Sequence, residues 1–408
     1  HLKLPTPIAS KTPQQITFND GVRLTVNNIL IGEVWLCSGQ SNMEMPIKGY
    51  RNQPVEGSNM AIVKSKNDNI RLFTVPHFSK IELQDTMMRA TQWKISEPEA
   101  VANFSATGYF FGKMLYEMLD IPVGLIVSSW GGSQVESWMR EDMLADFPEI
   151  SIPKTESDIK EPNRTPTTLF SGMINPILGY EIRGCIWYQG ESNYERPDQY
   201  ELLFQNMVKE WRKAWGIGEF PFYFAQIAPY NYAQLPPYNK GGKFNSAFLR
   251  DAQRKSELRI PNSAMVVLID IGEESCIHPK RKKEVGERFA LQALARAYGL
   301  RGFAHASPTF NEINISNDTV QVLFGNGKLG LTTFGEELTA FEIAGEDRKF
   351  YPAKAQIKYK NGAMVELTSP AIAKPAAVRY AFQDFIIGNL YSTEGLPVPS
   401  FRTDNWDE

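Results

Sequence analysis

Ser41 stands in the turn Ser38-Gly39-Gln40-Ser41-Asn42, directly after the apolar run Val34-Trp35-Leu36-Cys37. A serine hydroxyl so placed can attack a carbonyl if a base takes its proton. The apolar run reads as a buried parallel strand, which puts Ser41 at a strand's carboxyl end, the edge where open α/β sheets bind ligands. A lone serine in a turn is more often a turn former or helix cap, so the chemistry needs support from other segments. The chain offers four histidines as bases. His1 is terminal. His77, in Val75-Pro76-His77-Phe78, has no acidic neighbour in sequence and reads as a turn residue; His305 lies past the last αβ repeat. His278 follows the apolar run Met265-Val-Val-Leu-Ile269 and precedes a helical pattern from about residue 282 to 298. It therefore shares the strand-exit position of Ser41 and is the expected base, with a structural histidine as the competing reading.

Two further strand exits belong to the same edge. The run Ile121-Pro-Val-Gly-Leu-Ile-Val-Ser-Ser-Trp130 leads into Gly131-Gly132-Ser133. Paired glycines let backbone N–H groups approach a substrate, and such donors can form an oxyanion hole. The run Ile182-Arg-Gly-Cys-Ile-Trp-Tyr188 leads into Gln189-Gly190-Glu191-Ser192-Asn193. Gln189 can donate an amide N–H to an oxyanion, and Glu191 can orient a histidine or cap the helix beginning near Pro197.

These blocks carry a family resemblance. GQSNM around Ser41, SSWGGS with Glu136-Ser137-Trp138 behind it, WYQGESN from Trp187 to Asn193 and IHPKRKKEVGERFA from Ile277 resemble the blocks of sialate O-acetylesterases. That family sits within the SGNH (GDSL-type) hydrolases, close to esterases that deacetylate xylan. The similarity runs from about Leu30 to the end, through Phe341-Glu-Ile-Ala-Gly345, Val378-Arg-Tyr-Ala-Phe382, Glu394-Gly-Leu-Pro397 and Phe401-Arg-Thr-Asp404.

The resemblance implies a three-layer α/β/α, flavodoxin-like parallel sheet and a metal-independent, cofactor-free serine esterase acting on an O-acetylated sugar. It implies Ser41 as nucleophile, His278 as general base, and an oxyanion hole from the Ser41 N–H, a Gly131 or Gly132 N–H and the Gln189 side chain. Related enzymes usually place an aspartate just before the histidine, where this chain has Ser275 and Cys276. Glu191 is the leading candidate for the missing acid, followed by Glu273, Glu274 and Asp270, with a Ser-His dyad as the remaining option. Two other readings stay open: acetylxylan or another polysaccharide as substrate, and a glycan-binding protein on an impaired esterase scaffold. A secreted or periplasmic location is expected.

Composition agrees with an enzyme of two or more parts. The 408 residues exceed the roughly 250–300 of a single core. Forty-three basic residues nearly balance 46 acidic ones, and no basic stripe interleaves with aromatics as a nucleic-acid groove requires. The one basic cluster, Lys280-Arg281-Lys282-Lys283, reads as the solvated start of a helix. The longest apolar runs are strand-sized, short of the ~20 residues of a membrane span. Cys37, Cys185 and Cys276 lack metal-ligand spacing, and the first two read as buried thiols inside strands.

Alternation positions the site. Strands are expected over residues 70–75, 122–128, 183–188, 220–227 and 264–269, and helices over 106–118, 199–215, 247–257 and 284–298, which predicts a parallel sheet covered on both faces. Past residue 301, short alternating segments at 319–324, 338–343, 364–367 and 377–382 predict an antiparallel, sandwich-like β-domain. Near the amino terminus, Asp20-Gly21 between Gln15-Ile-Thr-Phe18 and Val22-Arg-Leu-Thr-Val26 signals a hairpin. No signal peptide precedes it, and it reads as the remnant of a β-domain that family members carry ahead of the GQSN block. The expected division is 1–28, 29–300 and 301–408, with the hairpin leaning on the main body or the carboxy-terminal domain. Sialic acid is a carboxylate, which an arginine fork would recognise, and Arg250 and Arg140 are the candidates; the plainer reading of Arg250 is a helix-surface position. Trp130, Trp138, Tyr194, Tyr230 and Tyr232 are available to stack on sugar faces, although a chain 12% aromatic must keep several in its core.

Overall fold

The computed structural model describes residues 4–235, 245–359 and 362–406; His1 lies outside them. The chain divides into two compact units: His1–Gln189 with Asn206–Tyr223 and Lys280–Gly299, and Gly190–Gln205 with Phe224–Pro279 and Leu300–Glu408.

The first unit opens on the hairpin β1 (Ser10–Asn19) and β2 (Arg23–Ile31), paired antiparallel about the Asp20-Gly21 turn with Asn19 opposite Arg23. It touches the body through a Lys11–Asp120 ion pair and an Arg71–Asn28 hydrogen bond of 3.0 Å. Strands β3 (Glu33–Gly39), β4 (Asn67–Thr74), β5 (Lys94–Ser96), β6 (Val123–Ser129) and β7 (Gly184–Tyr188) run side by side in the order 5-4-6-3-7. Next to β7 comes β8 (Phe222–Ala225), the strand through which the chain passes from this unit into the other. Only β5 pairs antiparallel among β3–β7. Strands β6 and β7 are buried over their whole length, as continuous apolar runs with helices on both faces should be.

Helices α1 (Ser41–Glu44), α2 (Ser58–Val63), α3 (Pro98–Ala102) and α4 (Ala106–Leu119) lie between these strands, followed by α5 (Pro197–Trp215), α6 (Ala247–Arg259) and α7 (Lys282–Arg296). Helices α4 and α7 approach closely because Gly286 has no side chain: a Cβ there would sit 2.7 Å from the Phe110 Cβ and Phe111 nitrogen. Cys37 and Cys185 are wholly buried on the neighbouring strands β3 and β7, and burial pushes both thiols far above their ordinary range.

The second unit holds β9 (Ser263–Val266), which neighbours β8, and α6. Among the described residues past 300, every strand pairing is antiparallel. Strands β10 (Thr309–Ser316), β11 (Thr319–Gly325), β15 (Lys354–Lys358) and β16 (Ala363–Thr368) form one sheet in the order 10-11-16-15. A second, in the order 14-13-17-19, comprises β13 (Phe341–Ala344), β14 (Phe350–Pro352), β17 (Ala377–Tyr380) and β19 (Phe401–Arg402). Two short strands, β12 (Leu331–Thr332) and β18 (Tyr391–Ser392), pair separately. Helix α6 is tied to these strands by charge: Asp251 is bracketed by Arg254, Lys255 and Arg402, while Arg379 and Arg402 share Asp404.

Candidate active site

In the first unit, register brings three strand exits level. Gly39 of β3 stands opposite Ser129 of β6 and Tyr188 of β7. Two residues beyond come Ser41 and Gly131, and one beyond comes Gln189, so the nucleophile turn, glycine turn and amide emerge at one edge. The turn at Gly39 needs glycine: its φ is +135°, and a Cβ would lie 2.1 Å from the Tyr188 carbonyl oxygen. Gln40 then donates its N–H to that same oxygen at 3.0 Å and caps α1, whose first residue is Ser41. Buried hydroxyls at the start of α4 hold the turn from below, Ser105 donating to the Met43 carbonyl at 2.6 Å and Thr107 to that of Asn42 at 3.2 Å. Ser41 itself is half-buried, the exposure a nucleophile requires.

Gly131 passes directly over Ser41, where a Cβ would meet the Ser41 Cβ at 3.3 Å and a Glu44 carboxylate oxygen at 3.2 Å. Its N–H donates to Glu44 Oε2 at 2.5 Å, and its carbonyl accepts from Asn163 at 2.7 Å. Gly132 has φ +72°, and its carbonyl accepts from Arg164 at 3.1 Å. Gln189 is fully buried and donates its amide N–H to the Ser133 carbonyl at 3.1 Å. The structure thus gathers Ser41, Gly131, Gly132 and Gln189. It also adds Glu44 and His77, which sequence reasoning passed over: His77 has an acidic neighbour after all, with Nε2 3.0 Å from Glu44 Oε1. The available signal was the spacing of Glu44, three residues after Ser41 on one short helix.

The basic cluster also differs from expectation. Lys280 and Lys283 are exposed, but Lys282 is wholly buried, with its ammonium on the Asn42 side-chain oxygen and 5.5 Å from the centroid of the Tyr188 ring. A charge run on a helix alternates faces, and this one turns its third residue toward the nucleophile turn.

In the second unit, His278 is half-buried in a loop after β9. A small bridge between Glu273 and Cys276 shapes that loop, and the Cys276 thiol donates to the His278 carbonyl at 3.3 Å. Glu274 and Ser275 are exposed at the bridge's tip, while the Glu274 carbonyl accepts from the Asn231 N–H and the Gln234 side chain. Glu191 is 4% exposed and begins a one-turn helix of its own, Glu191–Asn193, ahead of α5. Arg250 is not on a helix surface. It is fully buried, with its guanidinium on the Ser246 hydroxyl and the carbonyls of Ala381, Gln383 and Asp384, and burial lowers its pKa to about 10. Arg140, in the first unit, pairs with Asp142 at 2.8 Å. Of the five aromatics, Trp138, Tyr194, Tyr230 and Tyr232 are buried; Trp130, half-buried, lies flat against His77 at 4.3 Å.

A parallel sheet whose exits bring Ser41, a glycine turn and a buried amide to one edge has the architecture of an SGNH-type hydrolase. The comparisons specify which: the family described as carbohydrate esterase, sialic acid-specific acetylesterase, matches residues 31–295, and the chain belongs to it. It is 31% identical to the sialate O-acetylesterase of Mus musculus, over 93% of this chain and 78% of that protein. It is 29% identical to the human sialate O-acetylesterase, over 84% of this chain and 65% of the relative. A carbohydrate acetylesterase from Xanthomonas citri superposes with a TM-score of 0.88 at 33% identity, covering 99% of this chain and 88% of that one.

Proposed function

We propose that this esterase removes acetyl groups from O-acetylated sialic acids through an acyl-enzyme on Ser41. The reading is supported by the levelled exits of β3, β6 and β7, which bring the turns carrying Ser41, Gly131 and Gln189 to one sheet edge. The Ser41 oxygen bonds to the acetyl carbonyl carbon as His278 takes its proton. The negative charge gathered on the carbonyl oxygen is met by the Ser41 N–H, a Gly131 or Gly132 N–H and the Gln189 amide, the donors of the proposed oxyanion hole. Collapse breaks the ester bond, and the sugar oxygen leaves with the proton from His278. Water, deprotonated by His278, then attacks the acetyl-Ser41 carbonyl and releases acetate, restoring the hydroxyl. Glu191 serves as the acid that orients His278. Trp130 offers its indole to the sugar. The proposal includes a secreted or periplasmic location, where glycans are met.

A second reading, deacetylation of xylan or another neutral polysaccharide, is supported by Arg250. Its guanidinium is committed to backbone carbonyls rather than held ready for a sialate carboxylate. Acetate release from O-acetylated sialosides, acetylxylan and acetylated simple sugars distinguishes the two. The sialate reading expects the highest kcat/KM on the sialosides, and a preference for acetylxylan overturns it. No hydrolysis of p-nitrophenyl acetate by the wild type would leave a glycan-binding protein on an esterase scaffold.

A further inference from the structure

Beside Ser41 stand a carboxylate and an imidazole to which the reaction above gives no part. Glu44 closes α1, and its Oε2 accepts the Gly131 N–H at 2.5 Å. Its Oε1 lies 3.0 Å from His77 Nε2, and that nitrogen is also 3.0 Å from the Ser129 carbonyl oxygen. Both partners are acceptors, so Nε2 carries a proton and shares it between them. The imidazole stacks on the Trp130 indole, with planes within 6° and centroids 4.3 Å apart. Ser129, Trp130 and Gly131, three successive residues leaving β6, are each held by the Glu44–His77 pair.

The donors of the turn that follows are nearly all taken. Trp130 N–H donates to the Gly39 carbonyl at 3.2 Å, Ser133 N–H to that of Trp130 at 3.3 Å, and Gly131 N–H to Glu44. The carbonyls of Gly131, Gly132 and Ser133 accept from Asn163, Arg164 and Gln189. Among the described residues, Gly132 alone in this turn has an N–H with no acceptor. The Gly131 N–H is already engaged by a carboxylate, so an oxyanion would have to displace a charge-assisted bond to use it, whereas the Gly132 N–H requires no such exchange.

We propose that Glu44 is a positioning residue of the acyl transfer. With His77 it takes the Gly131 N–H and fixes the turn over Ser41, so that the Gly132 N–H is the glycine donor left for the developing oxyanion. This rests on the esterase reading above.

The test uses p-nitrophenyl acetate, which carries no sugar. Glu44→Ala should lower kcat by roughly 10- to 100-fold, the scale of a misplaced oxyanion donor, while KM stays within about threefold. Glu44→Gln keeps an oxygen for the Gly131 N–H and should retain at least about a third of kcat. Equal thermal midpoints for both variants separate positioning from loss of fold. A second readout is independent of turnover: in protein labelled with ¹⁵N-glycine, the Gly131 amide resonance should move in Glu44→Ala, and the Gly132 amide should respond to a phosphonate bonded to Ser41. An unchanged kcat in Glu44→Ala, or a phosphonate response at Gly131 instead of Gly132, overturns the inference and leaves the esterase standing. A wild type that fails to hydrolyse the ester overturns both.

Discussion

The wholly buried Lys282 ammonium donates to the side-chain oxygen of Asn42, the residue that follows Ser41, the proposed nucleophile. Removing one partner of a buried, charged hydrogen bond leaves the other unsatisfied. Lys282→Met should therefore destabilise the protein by about 1–3 kcal/mol in urea unfolding. It should also lower kcat more than it raises KM, because the disturbed residue is next to Ser41. A variant that loses stability but keeps kcat would confine Lys282 to a structural role.

Ser41→Ala and His278→Ala should each reduce the rate by roughly three or more powers of ten, and the double variant should be scarcely worse, since residues acting as one unit are not additive. More than about a tenth of the activity surviving in either single variant contradicts the assignment.

Gln189 is expected to act on the transition state. Gln189→Ala should cost on the order of 10²-fold in kcat with little change in KM. Part of that loss arises because the Ser133 carbonyl loses its donor. A change confined to KM would assign the amide to ground-state sugar binding.

The acid partner of His278 is tested by charge-neutral swaps. Glu191→Gln should damage kcat/KM far more than Glu273→Gln or Glu274→Gln, because Glu191 is buried whereas Glu274 is exposed at the tip of its bridge. Cys276→Asp should restore part of what Glu191→Gln removes. Equal losses in the three glutamine variants would remove Glu191 from this role.

Asp251 gives stability an acid limb. Burial pushes its carboxyl up, but Arg254, Lys255 and Arg402 outweigh this and hold it below the ordinary range. A depressed carboxyl contributes stability fully present above its unfolded value, ~3.9, and lost as pH falls through the folded value. Asp251→Asn should cost on the order of 3 kcal/mol at neutral pH and flatten the decline below about pH 4. Urea midpoints measured from pH 7 to pH 3 check this, and parallel profiles for the two proteins would refute it.

What was legible in the sequence is what depends on neighbours along the chain. The run into Ser41 is apolar until it must turn, and the expected helix starting at Ala106 spans Ala106–Leu119 as the pattern of its residues dictates. The β-segments past residue 300 announced themselves by alternation, and all are antiparallel. The Glu44–His77 pair was not legible, because 33 positions separate its members and only the parallel registers of β3 with β6 and of β6 with β4 bring their loops to one edge. Lys282 and Arg250 were misread for one shared reason. Charge suggests solvent, whereas each supplies donors to oxygens that the fold has buried around it.

Two of the three thiols lie side by side within strands, sealed from reagents and held protonated by their surroundings. The third, Cys276, is half-buried two residues from His278. To a maleimide in the folded state, the protein is accordingly a single-cysteine molecule. A fluorophore attached there reports from the loop of the proposed base without an introduced cysteine.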